Sequence, residues 1–174
     1  MAERLALVGM MGAGKSTVGA MTAGRLGWRF VDVDDEVTAR SGSSVGQLFA
    51  SRGEQAFRSL ESACLAEALD GDGDTVVAVG GGAVLDAGNR RLLRDKATVA
   101  WLRAAPPTLA TRVDDDGTRP LLHGVGGPEA VLTRLEAERR PLYEEVAHLA
   151  VDVDDLSPAQ VVDRLCAALA QAAS

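Results

Sequence analysis

Gly9-Met10-Met11-Gly12-Ala13-Gly14-Lys15-Ser16-Thr17 decides the fold of this 174-residue chain. The stretch satisfies G-x-x-x-x-G-K-[ST], a phosphate-binding loop whose glycines let successive backbone N–H groups turn toward one phosphate. Leu5 to Val8 run into it as a short apolar strand, and Val18, Met21, Thr22 and Leu26 keep helical spacing after it. The loop therefore sits at a strand-to-helix junction, where the helix N-terminus adds partial positive charge. In that setting Gly12, Ala13, Gly14, Lys15, Ser16 and Thr17 cradle phosphates, Lys15 bridges the β- and γ-phosphates, and the Ser16 hydroxyl ligates Mg²⁺. The chain has two lysines, Lys15 and Lys96, against sixteen arginines, so a lysine at the motif position by accident is improbable.

Downstream of the loop, Trp28 to Val33, Thr75 to Val79, Thr98 to Leu102 and Leu149 to Val153 read as further short strands. Helical spacing fits Asp35 to Ala50 with a break at Ser41-Gly42-Ser43-Ser44, then Glu54 to Leu69 and Ala87 to Lys96. Pro106-Pro107 opens another helix, and Glu129 to Tyr143 is helical up to a disturbance at Pro141. Ser157-Pro158-Ala159-Gln160 has the form of a capping box before a last helix. Strands alternating with helices predict an α/β fold: a five-stranded parallel sheet with helices on both faces, forming a single domain over 1–174. Ligands in such folds bind at the carboxyl ends of the strands. Three of those ends carry unusual chemistry, namely the phosphate loop, an Asp cluster and a triple glycine, which favours one active site.

The net charge of −7, with 47% hydrophobic and 25% charged residues, excludes a broad phosphate-backbone footprint, so no nucleic-acid partner is expected. Cys64 and Cys166 lie far apart without metal-ligand spacing and read as reduced thiols. No apolar run approaches a membrane span or a signal-peptide core, so the expected location is the cytoplasm with no membrane partner, and we expect a monomer. His123 and His148 are isolated, which argues against a metal or catalytic role for either.

Asp32 and Asp34 are two residues apart, so while a strand persists both side chains point the same way. One could support a metal and the other orient or deprotonate an acceptor hydroxyl, while Asp35 and Glu36 read as capping residues of the following helix. Phe49, Phe57, Arg58 and Glu61 form a second group. Arg58 and Glu61 are helical neighbours, consistent either with a surface ion pair or with a guanidinium fork held by Glu61 for a substrate carboxylate. Gly80-Gly81-Gly82 allows either close backbone approach to a ligand or a tight turn. Arg112 and Arg119 flank or enter Asp114 to Gly127, a stretch with four glycines and one proline that fits a mobile lid over phosphates. Arg139 and Arg140 precede Pro141-Leu142-Tyr143 and could reach the same cleft.

Taken in order, the phosphate loop, Asp32-x-Asp34, Gly53-Glu54-x-x-Phe57-Arg58-x-x-Glu61, Gly80-Gly81-Gly82-Ala83, Arg119-Pro120-Leu121-Leu122 and Arg139-x-Pro141-Leu142-Tyr143 resemble the shikimate kinases, over nearly the whole chain. The resemblance implies a P-loop kinase of the nucleoside-monophosphate-kinase-like type, with substrate-binding helices over about 34–61 and a lid over about 114–127. It implies ATP and shikimate as substrates, Mg²⁺ as cofactor, and phosphorylation of the shikimate 3-hydroxyl in the route to chorismate and the aromatic amino acids. Carried over by motif, Ser16 and Asp32 serve the metal, and Asp34 contacts the shikimate hydroxyl as base. Arg58 and Arg139 hold the carboxylate, with Phe49, Phe57, Gly80, Gly81 and Gly82 around the ring. Lys15 and Arg119 act on the phosphates, and Arg112 lies near the adenine. Some members carry an arginine near the nucleotide base where this chain reads Asp152-Val153-Asp154-Asp155-Leu156. A gluconate kinase would share the loop and lid without needing paired arginines, and a nucleotide-binding switch would need no acceptor at all.

Overall fold

A computed structural model describes residues 3–113 and 124–172. Five strands, β1 (Arg4–Val8), β2 (Arg29–Asp32), β3 (Thr75–Ala78), β4 (Thr98–Arg103) and β5 (Leu149–Asp152), form one parallel sheet in the order β2-β3-β1-β4-β5. The helices are α1 (Lys15–Leu26), α2 (Val33–Ser41), α3 (Val45–Asp70), α4 (Ala87–Lys96), α5 (Pro106–Arg112), α6 (Gly127–Val146) and α7 (Pro158–Ala172). A 3₁₀ turn, Ala83–Leu85, follows β3. The chain steps one way across the sheet from β1 to β2 and the opposite way at every later crossover. Right-handed connections then put α1 on one face and α3, α4 and α6 on the other. The contacts agree: α4 packs on α3 and α6, while α7 returns to cover the sheet beside α1.

Burial on both faces explains why the strands read as continuous apolar runs. Leu5, Ala6, Leu7, Val76, Val77, Val99 and Ala100 have no exposed surface. No helix of the described residues is long and apolar enough to cross a membrane. Cys64 is buried, Cys166 half-buried, and both are free thiols. His148 serves the sheet edge, with its Nδ1 accepting from the Val99 N–H at 2.9 Å; His123 lies outside the described residues.

Two local expectations are corrected. β2 ends at Asp32 rather than Val33, because Asp32 is the N-cap of α2 and its side chain accepts from the N–H groups of Asp34 and Asp35. The cap is therefore Asp32, whereas Asp35 and Glu36 occupy the first helical turn, where the exposed N–H groups favour acids. Second, α6 continues through Pro141 to Val146. Val131, Leu132, Tyr143 and Val146 bury on both sides of the proline, so packing outweighs the lost N–H. The break expected between Ala50 and Glu54 is present as a kink at Gly53, φ +82°, within α3, which starts at a Ser44–Gln47 capping box and runs to Asp70. The capping box before α7 forms as expected, with Gln160 N–H donating to Ser157 Oγ at 3.2 Å and Ser157 N–H to Gln160 Oε1 at 2.8 Å.

Two glycines of α1 give a paired test. A Cβ at Gly19 would lie 2.6 Å from Phe30 Cε2, whereas one at Gly24 would meet nothing within 4 Å. Gly24→Ala should stabilise by roughly 0.5–1 kcal/mol through helix propensity alone. Gly19→Ala gains the same propensity but overpacks α1 against β2, which costs about 1–3 kcal/mol, so its net effect should be destabilising. Urea unfolding of both variants checks the opposite signs.

Candidate active site

The phosphate loop links β1 to α1, and Gly12 and Gly14 adopt φ of +84° and +95°, a region glycine enters without penalty. Lys15 Nζ donates to the carbonyls of Gly9 at 2.7 Å and Met10 at 2.9 Å. Ser16 Oγ donates to Asp32 Oδ2, while Asp32 Oδ1 accepts from Asp34 N–H at 3.0 Å. The end of β2 and the start of α1 are thus tied together by one carboxylate. A cavity of about 450 Å³ opens over this junction, lined by the loop, Asp32, Asp34, Gly80, Gly81 and Arg112. Val153, Leu156 and Pro158 supply an apolar wall. Asp154, in the stretch where an arginine was expected from some members, has its carboxylate accepting from the Ala105 N–H at 3.0 Å.

A second cavity of about 330 Å³ adjoins the first, and the two share Met11, Asp34, Gly80 and Gly81. Its lining includes Phe49, Phe57, Arg58, Glu61, Gly82 and Arg139. The rings of Phe49 and Phe57 are 4.9 Å apart, and Arg58 Cζ stands 5.1 Å from the Phe57 centroid. Arg58 Nη1 donates to Glu61 Oε2 at 2.8 Å, and Glu54 lies 3.5 Å from Arg58 Nη2. Glu61 is only 1% exposed, so the pair is no surface ion pair. Burial raises the Glu61 carboxyl above its ordinary value and the nearby Asp34 charge adds to this, while Arg58 and Arg139 oppose it. Arg139 is 2% exposed, and its Nε and Nη1 have no hydrogen-bond partner among the described residues. A buried cation left short of acceptors suits an incoming anion.

The triple glycine is a close-approach device. None of its residues needs a left-handed backbone. A Cβ at Gly80 would overlap Glu61 Oε1 and lie 3.2 Å from Asp34 Oδ1, and one at Gly82 would lie 2.6 Å from Arg58 Cζ. The loop is bare because the charged side chains pack directly on its backbone.

Most candidate residues converge on these two cavities: the phosphate loop, Asp32, Asp34, Phe49, Phe57, Arg58, Gly80, Gly81, Gly82, Arg112 and Arg139. The shared-strand account of Asp32 and Asp34 is wrong, since Asp34 sits in the first turn of α2, yet both line the same cavity. Arg140 does not reach the cleft; it is exposed, pairs with Glu136 at 2.6 Å and stands over Trp101. Arg119 and most of the expected lid lie outside the described residues. Sequence reading assigned no role to Met11, Thr38, Ser44 or Val45, which also line the second cavity. No periodic or charge signal singles them out. Ser16 and Asp32 bring a hydroxyl and a carboxylate together, and no cluster of three or more His, Cys, Asp or Glu suited to a metal occurs among the described residues. Such a sparse donor set fits Mg²⁺, which keeps waters and takes phosphate oxygens.

The parallel sheet, the β1–α1 phosphate loop and the adjoining cavity define a P-loop kinase. The description of the family model that matches residues 11–170 is shikimate kinase. A shikimate kinase of Xanthomonas campestris pv. campestris is 43% identical over 172 residues, covering 97% of this chain and 93% of that protein. The structure of the Acinetobacter baumannii shikimate kinase in complex with shikimate has a TM-score of 0.93 at 33% identity, covering 98% of this chain and 94% of its own. The chain belongs to the shikimate kinase family. A gluconokinase from Sinorhizobium meliloti, with a TM-score of 0.65 at 23% identity over 97% of this chain and 92% of its own, shares the fold.

Because the Glu61 pKa is raised on folding, the folded state binds its proton more tightly than the unfolded chain does. Its contribution to stability is fully present below the ordinary glutamate range and is lost as pH rises through the folded value. Glu61→Gln, which stays neutral, should gain stability relative to the parent between about pH 4 and pH 7. Denaturant unfolding across that range checks it; the opposite slope would mean that Arg58 outweighs burial.

Proposed function

We propose that this chain transfers the γ-phosphoryl group of ATP to the 3-hydroxyl of shikimate, giving shikimate 3-phosphate and ADP on the route to chorismate. The observation that carries this reading is the joining of two cavities at Asp34 and the Gly80–Gly81 backbone, with the phosphate loop in one and two guanidinium groups in the other. Arg58 and Arg139 take the acceptor carboxylate, and Phe49 and Phe57 close the apolar side of its ring. That leaves the 3-hydroxyl at Asp34, in a near-attack arrangement with the donor phosphate. Asp34 takes the hydroxyl proton as the oxygen bonds to the γ-phosphorus and the bond to the β–γ bridging oxygen breaks. Lys15 stabilises charge on the transferring oxygens, and Arg119, assigned by its motif, adds a second cation there. Ser16 would hold Mg²⁺ directly and Asp32 through its water, and the bound ion would neutralise charge on the β- and γ-oxygens. Arg112 and the Leu156 side of the first cavity border the nucleotide base.

Acceptor-dependent ADP release tests the reading, with turnover expected for shikimate and none above background for gluconate. Gluconate turnover would favour a sugar-acid kinase, and ATP hydrolysis indifferent to acceptor would favour a switch. Lys15→Ala should abolish most turnover in a folded protein. Arg58→Lys keeps the charge but loses the planar fork, and should weaken shikimate binding by about 1.5–3 kcal/mol with ATP binding unchanged. Asp34→Asn should lower kcat far more than it changes shikimate affinity. Titration calorimetry beside steady-state kinetics separates the two effects.

A further inference from the structure

Tyr143 is the chain's one tyrosine. It is wholly buried on α6, four residues after Arg139, the spacing that puts two helical side chains on one face. Its hydroxyl donates to the Gly81 carbonyl at 2.6 Å and lies 3.7 Å from Met10 Sδ in the phosphate loop. Its ring stacks at 5.7 Å on Trp101, which itself lies against the loop, 3.6 Å from where a Gly9 Cβ would stand. A Cβ at Gly81 would be 3.3 Å from the Gly9 carbonyl, 3.5 Å from Met11 N and 3.4 Å from Arg139 Nη1. The hydroxyl therefore occupies the joint where the phosphate loop, the glycine backbone and the buried guanidinium meet.

We infer that Tyr143 is a positioning residue for the acceptor: its hydroxyl anchors Gly81 and orients Arg139, and so sets where the acceptor carboxylate sits relative to the phosphate loop. The inference rests on the acceptor role proposed above for Arg139. The phenol proton goes to the Gly81 carbonyl, and Gly81 is the residue against which Arg139 Nη1 packs, so the hydroxyl fixes the backbone that the guanidinium rests on. Burial pushes the phenol up to about 12, keeping it a neutral donor, while the charge of Arg139 opposes that rise. Removing the hydroxyl leaves the Gly81 carbonyl without this donor and loosens the backbone on which Arg139 packs.

Tyr143→Phe preserves volume and the stack on Trp101. Its shikimate KM should rise about tenfold, with the ATP KM within about twofold of the parent and kcat falling less than KM rises. A purely structural hydroxyl would lower the unfolding midpoint and leave the KM for shikimate unmoved. That result in a folded variant overturns the inference. Because Tyr143 is unique, biosynthetic 3-fluorotyrosine puts one ¹⁹F resonance at this site in the otherwise unaltered enzyme. That resonance should shift on adding saturating shikimate, and a resonance that stays unmoved overturns the inference even if the Phe variant fails to fold. Parent turnover with shikimate tests the acceptor assignment separately.

Discussion

A guanidinium held almost out of water, with two nitrogens lacking hydrogen-bond partners among the described residues, is the constraint on which the rest of the site depends. Burying a charge costs several kcal/mol unless something compensates it, and hydrophobic packing gives no reason to keep Arg139 in the core. The surroundings read as compensation. Glu61, itself buried, is bonded to Arg58 and lies within the field of Arg139. Tyr143 stands one turn along α6 with its hydroxyl on Gly81, and α6 stays helical through Pro141 because residues on both sides of it are anchored in the core. A cation in such surroundings suits an anionic ligand, the role proposed here for the acceptor carboxylate.

Close packing of charges on backbone explains the glycines. Glu61 and Arg58 approach the β3 loop from α3, and a methyl group at Gly80 or Gly82 would occupy the space of their terminal atoms. Three bare residues let two charged side chains, the carboxylate of Asp34 and the phosphate loop converge on one stretch of main chain. Such a surface offers a small polar ligand hydrogen bonds and charge at fixed positions, which orient it. The Phe49–Phe57 pair is the apolar exception, confined to the second cavity.

Asp32 shows how one residue serves two levels. Its Oδ1 caps α2 and its Oδ2 receives the Ser16 hydroxyl, so a helix terminus and the pair proposed to hold the metal share one carboxylate. Capping α2 and lining the first cavity, which look exclusive along the chain, coincide in this one residue. The same holds for Arg58 and Glu61. Helical spacing makes them neighbours, but only the packing of α3 beside the β3 loop decides that they are buried, and burial converts an ion pair worth little into a rigid fork.

Local chain chemistry by itself determined the phosphate loop, the five apolar strands, the capping box before α7 and the parallel α/β class. Each of these depends on residues adjacent in sequence and on periodicities of two or 3.6. The motif order also pointed to the family, since the acceptor-contacting stretches are short and contiguous. Tertiary structure alone decided which of two consecutive arginines, Arg139 or Arg140, enters the cleft, that Asp32 rather than Asp35 caps α2, and that Pro141 leaves α6 unbroken. It also decided that Tyr143 joins the two halves of the site. These outcomes turn on burial and on contacts between residues far apart in the chain, where packing free energy overrides local preference, and no spacing rule along one segment carries that information.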